Sequence, residues 1–442
     1  MLMDNIFNML EKLDAFYWSY IGIYLVVLSG IYFTIKSKFY QLRILGSFKE
    51  NIANIYSSSD NANIKGLSPL RLYFASVGGM IGLGNVVAVT SALLIGGPGA
   101  LFWLWVTAIF GMLIKYSEIY LGIKYRVENN DGGYHGGSIY YLQHAFKTKG
   151  VSIVAAILLG IYGVEVYQFA IVSDNLTKII STIYPIDKIF IVTMLMALVL
   201  YSSFGGIKRL ANICSGLMPI FIIVYILVCL YIVFMNITAV PAMFLLVIKS
   251  AFFGHAPIGG FVGSTMLMAA QQGIAKAVYS GDIGIGYDSI IQSETKITDP
   301  MKQANMAIFA STTDAIICTM SIMVALLTGA WQNVGVDPGE CVAQALSSHL
   351  PISFVNIFMS GLILVAGYTT IIAYLAVGVK CALYINPKFG YRLYLLYAGC
   401  SFLFFSFYDP TELLILMSLS GGALVLFNII GILKLRKEIR FN

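Results

Sequence analysis

The 442-residue chain predicts an all-α polytopic membrane protein with eleven transmembrane helices. Ten would form a 5+5 inverted repeat with discontinuous helices, and one extra helix would stand at the N-terminus. Three observations carry this reading. Hydrophobic residues make up 59% and charged residues only 11%, whereas a soluble domain uses about 25% charged residues to cover its surface. The apolar runs are helix-length and too long for alternating barrel strands, and only helices or closed barrels satisfy their backbone in lipid. Finally, two G-G-x-x-G clusters open the second and seventh runs, five spans apart. Five is odd, so the two segments cross in opposite directions, as an inverted repeat requires.

A crossing helix needs about 20 apolar residues. The runs lie at 17–35, 75–96, 100–123, 151–179, 188–204, 211–235, 256–279, 303–329, 353–382, 391–408 and 411–433. Residues 1–35 form an extracellular N-terminus and the extra helix. The start is acidic and lacks a basic region with a cleavage site, so no signal peptide is expected. Residues 36–74 are a cytoplasmic linker carrying Lys36, Lys38, Arg43, Lys49, Lys65 and Arg71. The first half of the repeat spans 75–235 and the second 236–433. The basic tail, 434–442, reads as a topology anchor.

Span 2 opens with Gly78 and Gly79, followed by Gly82, Gly84 and Asn85. Glycines cost about 1 kcal/mol each relative to alanine in a helix interior, so the cluster predicts a broken helix there. Span 7 opens with Gly259, Gly260, Phe261 and Gly263, where a second break is expected. A break frees N–H groups at a positive helix end, which suits a carboxylate. It also frees carbonyls, which suit an ammonium or a small hard cation. In span 3, Lys115 and Glu118 are three apart and read as a local pair. In span 4, Glu165 is a carboxylate deep in an apolar run, a functional hypothesis by default. Asp174, nearer the outer end, reads as solvated. Asp314, in span 8, reads equally as a hydrogen-bonding anchor or a coupling residue. His135, His144, His255 and His349 fall in loops or at span ends and read as surface residues.

Lysine and arginine set the orientation. Counting alternate sides, all but Lys12, Lys178, Lys188 and Lys249 of the 27 basic residues fall on one face. This puts the N-terminus outside and the C-terminus inside a cell (plasma or inner) membrane. The net charge of +6 is then a sign of orientation rather than of nucleic-acid binding. The six cysteines are scattered, and no Cys or His pair has metal-ligand spacing. No catalytic constellation is evident, so an enzyme is not expected.

At the glycine-rich segments the chain resembles the alanine or glycine:cation symporter family, the sodium:alanine symporters. Gly82-Leu83-Gly84-Asn85-Val86 resembles that family's G-T-G-N-I. Gly96-Gly97-Pro98-Gly99-Ala100-Leu101-Phe102-Trp103-Leu104-Trp105-Val106 is similar to G-G-P-G-A-x-F-W-M-W-V. Lys115-Tyr116-Ser117-Glu118, Gly136-Gly137-Ser138-Ile139-Tyr140-Tyr141 and the Asp314, Cys318-Thr319-Met320 segment follow in the family's order. The chain departs at Ser280-Gly281-Asp282-Ile283-Gly284-Ile285-Gly286-Tyr287, where the family has S-N-E-A-G-x-G-S. These departures are expected near an inner gate.

The resemblance implies the leucine-transporter fold and import of a small neutral amino acid, alanine or glycine, with sodium. A proton is the alternative coupling ion, and a different solute or a non-transporting sensor on the same fold is the alternative function. Partners would be the amino acid and the lipid bilayer, with no nucleic acid, no cofactor and no obligate protein partner evident. Gly82, Leu83, Gly84 and Asn85 would face the substrate carboxylate, with Gln168 of span 4 within reach. Gly263, Ser264 and Thr265 would accept the ammonium, under Phe261 as an apolar lid. Sodium would lie between Gly78 and Ile81 of span 2 and Ala366, Thr369 and Thr370 of span 9. Back-bonding to their own helix is the competing use of the two threonine hydroxyls. Glu165 and Asp314 are the candidate coupling residues.

Overall fold

The structure is a computed structural model that describes residues 2–47, 65–129, 133–182, 184–255, 264–333 and 335–441. Among the described residues, seven helices are long and apolar enough to cross a membrane. They are α1 (Ile6–Lys36), α4 (Ala100–Lys124), Lys149–Ser181, α8 (Gly206–Met235), α11 (Pro300–Thr328), α12 (Ile352–Ile385) and Glu412–Lys434 within α14 (Pro410–Lys434). An eighth candidate is a pair bent by 60°, Pro69–Met80 (α2) with Leu83–Gly96, of which α3 is Val87–Gly96. The Lys149–Ser181 rod is itself interrupted, into α5 (Lys149–Tyr162) and α6 (Val166–Ser181). Shorter helices complete the bundle: α7 (Lys188–Ser203), α9 (Met266–Gly281), α10 (Tyr287–Gln292) and α13 (Gly390–Phe405).

The chain is a multi-pass membrane protein, and its surface says so. On α8, Ile220, Ile223, Val224 and Leu227 are exposed, while Phe221, Tyr225 and Cys229 are buried. Apolar side chains therefore face outward along a helical stripe, which only lipid would solvate. The interior holds the polar residues, including Lys115, Glu118, Glu165, Asp282, Asp288 and Asp314.

Two interruptions shape the centre. In the first, α2 ends at Met80, Ile81 and Gly82 run extended, and Leu83–Asn85 make one 3₁₀ turn before α3. A Cβ at residue 82 would stand 2.5 Å from Gln168 Oε1 and 2.6 Å from Thr370 Oγ1, so glycine is needed for close approach rather than for backbone freedom. A second interruption is described at the far end of the seventh span. It lies between α9 and α10, where Asp282, Gly284 and Gly286 all have positive φ (51°, 81° and 92°). Left-handed residues at two-residue intervals cannot continue a helix, and glycine or aspartate tolerate that region best. The segment expected to mark an inner gate is thus the second break itself. Gly259, Gly260, Phe261 and Gly263 lie outside the described residues.

Both breaks are clasped by continuous helices. The long rods α4 and α11 pack against each other, α4 also holds α9, and α12 runs along α2, α5 and α6. Leu67 pairs with the backbone of the loop after α10: its N–H donates to Glu294 O (2.8 Å) and its carbonyl accepts from Lys296 N–H (3.0 Å). Arg126 donates to the carbonyls of Ser293, Thr295 and Ile297 at 3.0, 2.6 and 3.0 Å. The basic tail is more than an anchor. Tyr116 donates to Arg440 O (2.7 Å), Phe441 stacks on Tyr116 (5.2 Å), and Ile439 is buried.

Candidate functional site

The first break places backbone donors where span 4 can meet them. Leu83 N–H donates to Gln168 Oε1 at 3.2 Å, and Gly82 N–H donates to Asn85 Oδ1 at 3.2 Å. Gln168 sits on the first turn of α6, so its amide oxygen stands where a carboxylate oxygen would meet the positive end of a half-helix. Asn85 is differently employed. Its amide donates to Asp314 Oδ1 (2.6 Å) and Cys318 Sγ (3.2 Å), and Ser321 donates to its carbonyl (2.7 Å). Asp314 thereby anchors the break to α11.

The expected cation residues are brought partly together. Thr370 Oγ1 donates to Gly78 O at 3.1 Å, joining α12 to the last turn of α2. Thr369 instead bonds back to its own helix, donating to Val365 O (2.9 Å) and Ala366 O (3.1 Å). Ile81 and Ala366 are buried nearby on the two facing segments.

Between the two breaks is a narrow cavity of about 10 Å³, room for roughly one water. Gly79, Met80 and Gly84 of the first break, Tyr162, Glu165 and Gln168 of span 4, Tyr279 and Ser280 of α9, and Tyr374 of α12 line it. Glu165 caps α6 in the left-handed region (φ 50°, ψ 48°), is buried, and has one carboxylate oxygen, Oε2, without a hydrogen-bond partner. Tyr374 donates to Asp282 Oδ1 (3.2 Å) and stacks on Tyr287 (3.9 Å), tying α12 to the second break.

Two expected residues fall elsewhere. Thr265 caps the start of α9 by accepting from Met268 N–H (3.1 Å), and Ser264 pairs with the backbone of His255. Sixteen helical residues separate them from the second break, about 24 Å at 1.5 Å each. Lys115 is not locally paired with Glu118. Its ammonium donates to Gly281 O (2.8 Å) and Met80 Sδ (2.9 Å) and lies 3.4 Å from Asp288 and 3.7 Å from Asp282. One buried cation on α4 thus touches both breaks. Aspartates at 282 and 288 flanking a glycine-rich turn were the available signal.

A profile of the sodium:alanine symporter family matches residues 3–441. An uncharacterized transporter of Haemophilus influenzae is 30% identical over 440 residues, covering 98% of this chain and 94% of that one. The sodium/alanine symporter AgcS of Methanococcus maripaludis is 27% identical, covering 97% and 94%. A probable sodium/glutamine symporter, GlnT of Bacillus subtilis, is also 27% identical, covering 96% and 87%. Among solved structures, MhsT in complex with L-phenylalanine superposes with a TM-score of 0.61 at 14% identity, covering 82% of this chain and 89% of MhsT. A Na+-coupled sialic acid symporter superposes at 0.56 with 11% identity, covering 95% and 86%. The architecture is that of the leucine-transporter fold.

Proposed function

The chain belongs to the sodium:alanine symporter family, and from that premise we propose that it imports alanine or glycine together with sodium by alternating access. The observation that carries this reading is the meeting of three features at one place. These are the donor end of the first break, the Gly78–Thr370 oxygen pair, and the cavity between the two breaks. Such an arrangement suits a zwitterion beside a small hard cation. Identity does not choose between the alanine and glutamine relatives, since both stand at 27%.

In this reading the chain crosses the membrane eleven times. Two five-helix halves each begin with a broken helix, α2/α3 in the first and α9/α10 in the second. Residues 1–35 precede them, 36–74 link on the cytoplasmic side, and the tail is cytoplasmic. Leu83 and Gly84 offer N–H groups to the substrate carboxylate, which takes the place of the Gln168 oxygen. Sodium lies between the carbonyls of Gly78, Ile81 and Ala366 and the Thr370 hydroxyl. Thr369 is secondary, because its proton is committed to its own helix. Asp314 acts as an anchor through Asn85. Sodium would favour the state in which the first break is open to substrate, so each ligand raises the other's affinity.

The test is uptake of labelled L-alanine and glycine by proteoliposomes under an inward sodium gradient, with potassium as control at fixed pH. Sodium-dependent accumulation is expected. Equal uptake in potassium, with a pH gradient as the only driver, would replace sodium by the proton.

A further inference from the structure

We propose that Glu165 is the ammonium anchor of the central cavity, so that the site selects ligands carrying a primary ammonium held between a carboxylate and tyrosine rings. The inference rests on the symport reading for its ligand class but names a residue and an interaction of its own. Glu165 is buried at the α5–α6 interruption and lines the cavity, and its Oε2 atom lacks a hydrogen-bond partner. Leaving a buried carboxylate oxygen unmatched costs about 1–3 kcal/mol or more. A site that keeps such an atom facing a cavity is complementary to a donor that arrives from outside. Around it stand the rings of Tyr162, Tyr279 and Tyr374, with Tyr162 and Tyr374 edge-to-face at 5.3 Å. Aromatic faces attract an ammonium through their quadrupole, more strongly where water is excluded.

The rest of the cavity fixes the ligand's polarity. Gln168 follows Glu165 by three residues and accepts from Leu83 N–H at 3.2 Å. Residues three apart near a helix start share one face. The acceptor end (Glu165) and the donor end (Leu83 N–H) are thereby linked through Gln168, which lines the same cavity as Glu165. No lysine, arginine or histidine lines the cavity to compete for the carboxylate. Lys115, a buried ammonium on α4, is committed to Gly281 and the Asp282–Asp288 pair. No covalent step is involved. The ammonium exchanges its hydration for the Glu165 carboxylate and the tyrosine faces.

The experiment is equilibrium binding of labelled L-alanine to the purified full-length protein in saturating sodium, in wild type, Glu165→Gln and Glu165→Asp. Unlabelled L-alanine and propionate serve as competitors; propionate keeps the carboxylate and lacks the ammonium. Wild type should prefer alanine to propionate strongly. Glu165→Gln should weaken alanine by about 10- to 100-fold and leave propionate within about threefold, collapsing the discrimination. Glu165→Asp should recover part of it, and all three should melt within a few degrees of each other. Unchanged discrimination in Glu165→Gln would overturn the inference while leaving symport intact. If wild type binds neither alanine nor glycine, the substrate reading fails instead. Thermal shift with L-lysine, L-arginine and ethylammonium then decides on Glu165 alone. Stabilisation of wild type but not of Glu165→Gln by any of these upholds the anchor, and its absence with all three overturns it.

Discussion

Thr369 and Thr370 are adjacent and of one type, yet their hydroxyls do different things. Thr370 reaches across to Gly78, whereas Thr369 satisfies carbonyls of its own helix. Hydrogen bonds and ion contacts to a charged group are worth about 1.5–3 kcal/mol each. Thr370→Val should therefore raise the sodium concentration for half-maximal uptake by about tenfold or more, and Thr369→Val by no more than about threefold. Sodium titration of alanine uptake checks both, and equal effects would place the ion elsewhere. Gly82→Ala should abolish uptake, because the added carbon meets Gln168 and Thr370 at 2.5 and 2.6 Å. At this scale the sequence was informative where composition is unusual. Gly78 through Asn85 is legible as a break because four glycines so close together disfavour a helix. Which of two threonines faces the neighbour depends on helix rotation, which tertiary packing sets. The Asn85–Asp314 bond joins residues 229 apart in the chain, and local pattern carries no trace of it.

At the scale of elements, Lys115 is the joint between α4 and the two breaks. Removing the cation alone from a buried group of carboxylates typically costs about 3–5 kcal/mol, since the remaining charges are left uncompensated. Lys115→Met should lower the melting temperature in detergent sharply. Adding Asp288→Asn should restore part of the loss, and additive damage would show that the two groups are not coupled. The position of the second break shows what a sequence motif can and cannot tell. G-G-x-x-G at 259–263 resembles the first cluster and lies outside the described residues, whereas the break described is where Asp282, Gly284 and Gly286 go left-handed. Glycine composition is similar at both ends of the segment. The difference is that the inner end has buried aspartates facing Lys115, a pairing made across helices. Rod lengths were better read: 100–123 against Ala100–Lys124 and 353–382 against Ile352–Ile385 differ by three residues or fewer at either end. Long apolar runs bounded by charge leave little freedom.

Over the whole molecule, polar contacts of basic residues join segments distant in the chain. Lys65 pairs with Glu128, Lys124 with Glu438, Lys380 with Glu294, and Lys36 donates to Arg436 O. Glu438 also accepts from Tyr125, and with Lys124 this holds its carboxyl below the usual range. A depressed folded-state pKa contributes stability above the unfolded value and loses it as pH falls through the folded one. The tail should stay docked at neutral pH and loosen only below the ordinary carboxylate range. Glu438→Gln should loosen it already at neutral pH, seen as lower anisotropy of a fluorophore at the C-terminus.

Symport requires that sodium and amino acid reinforce each other at equilibrium, and this is the central claim. The direct test is the dissociation constant of L-alanine with and without saturating sodium, set against that of sodium with and without saturating L-alanine. We expect both to shift in the same direction by the same factor, about 5- to 150-fold for a coupling of 1–3 kcal/mol, with Thr370→Val shrinking that factor. Alanine affinity indifferent to sodium would contradict the account.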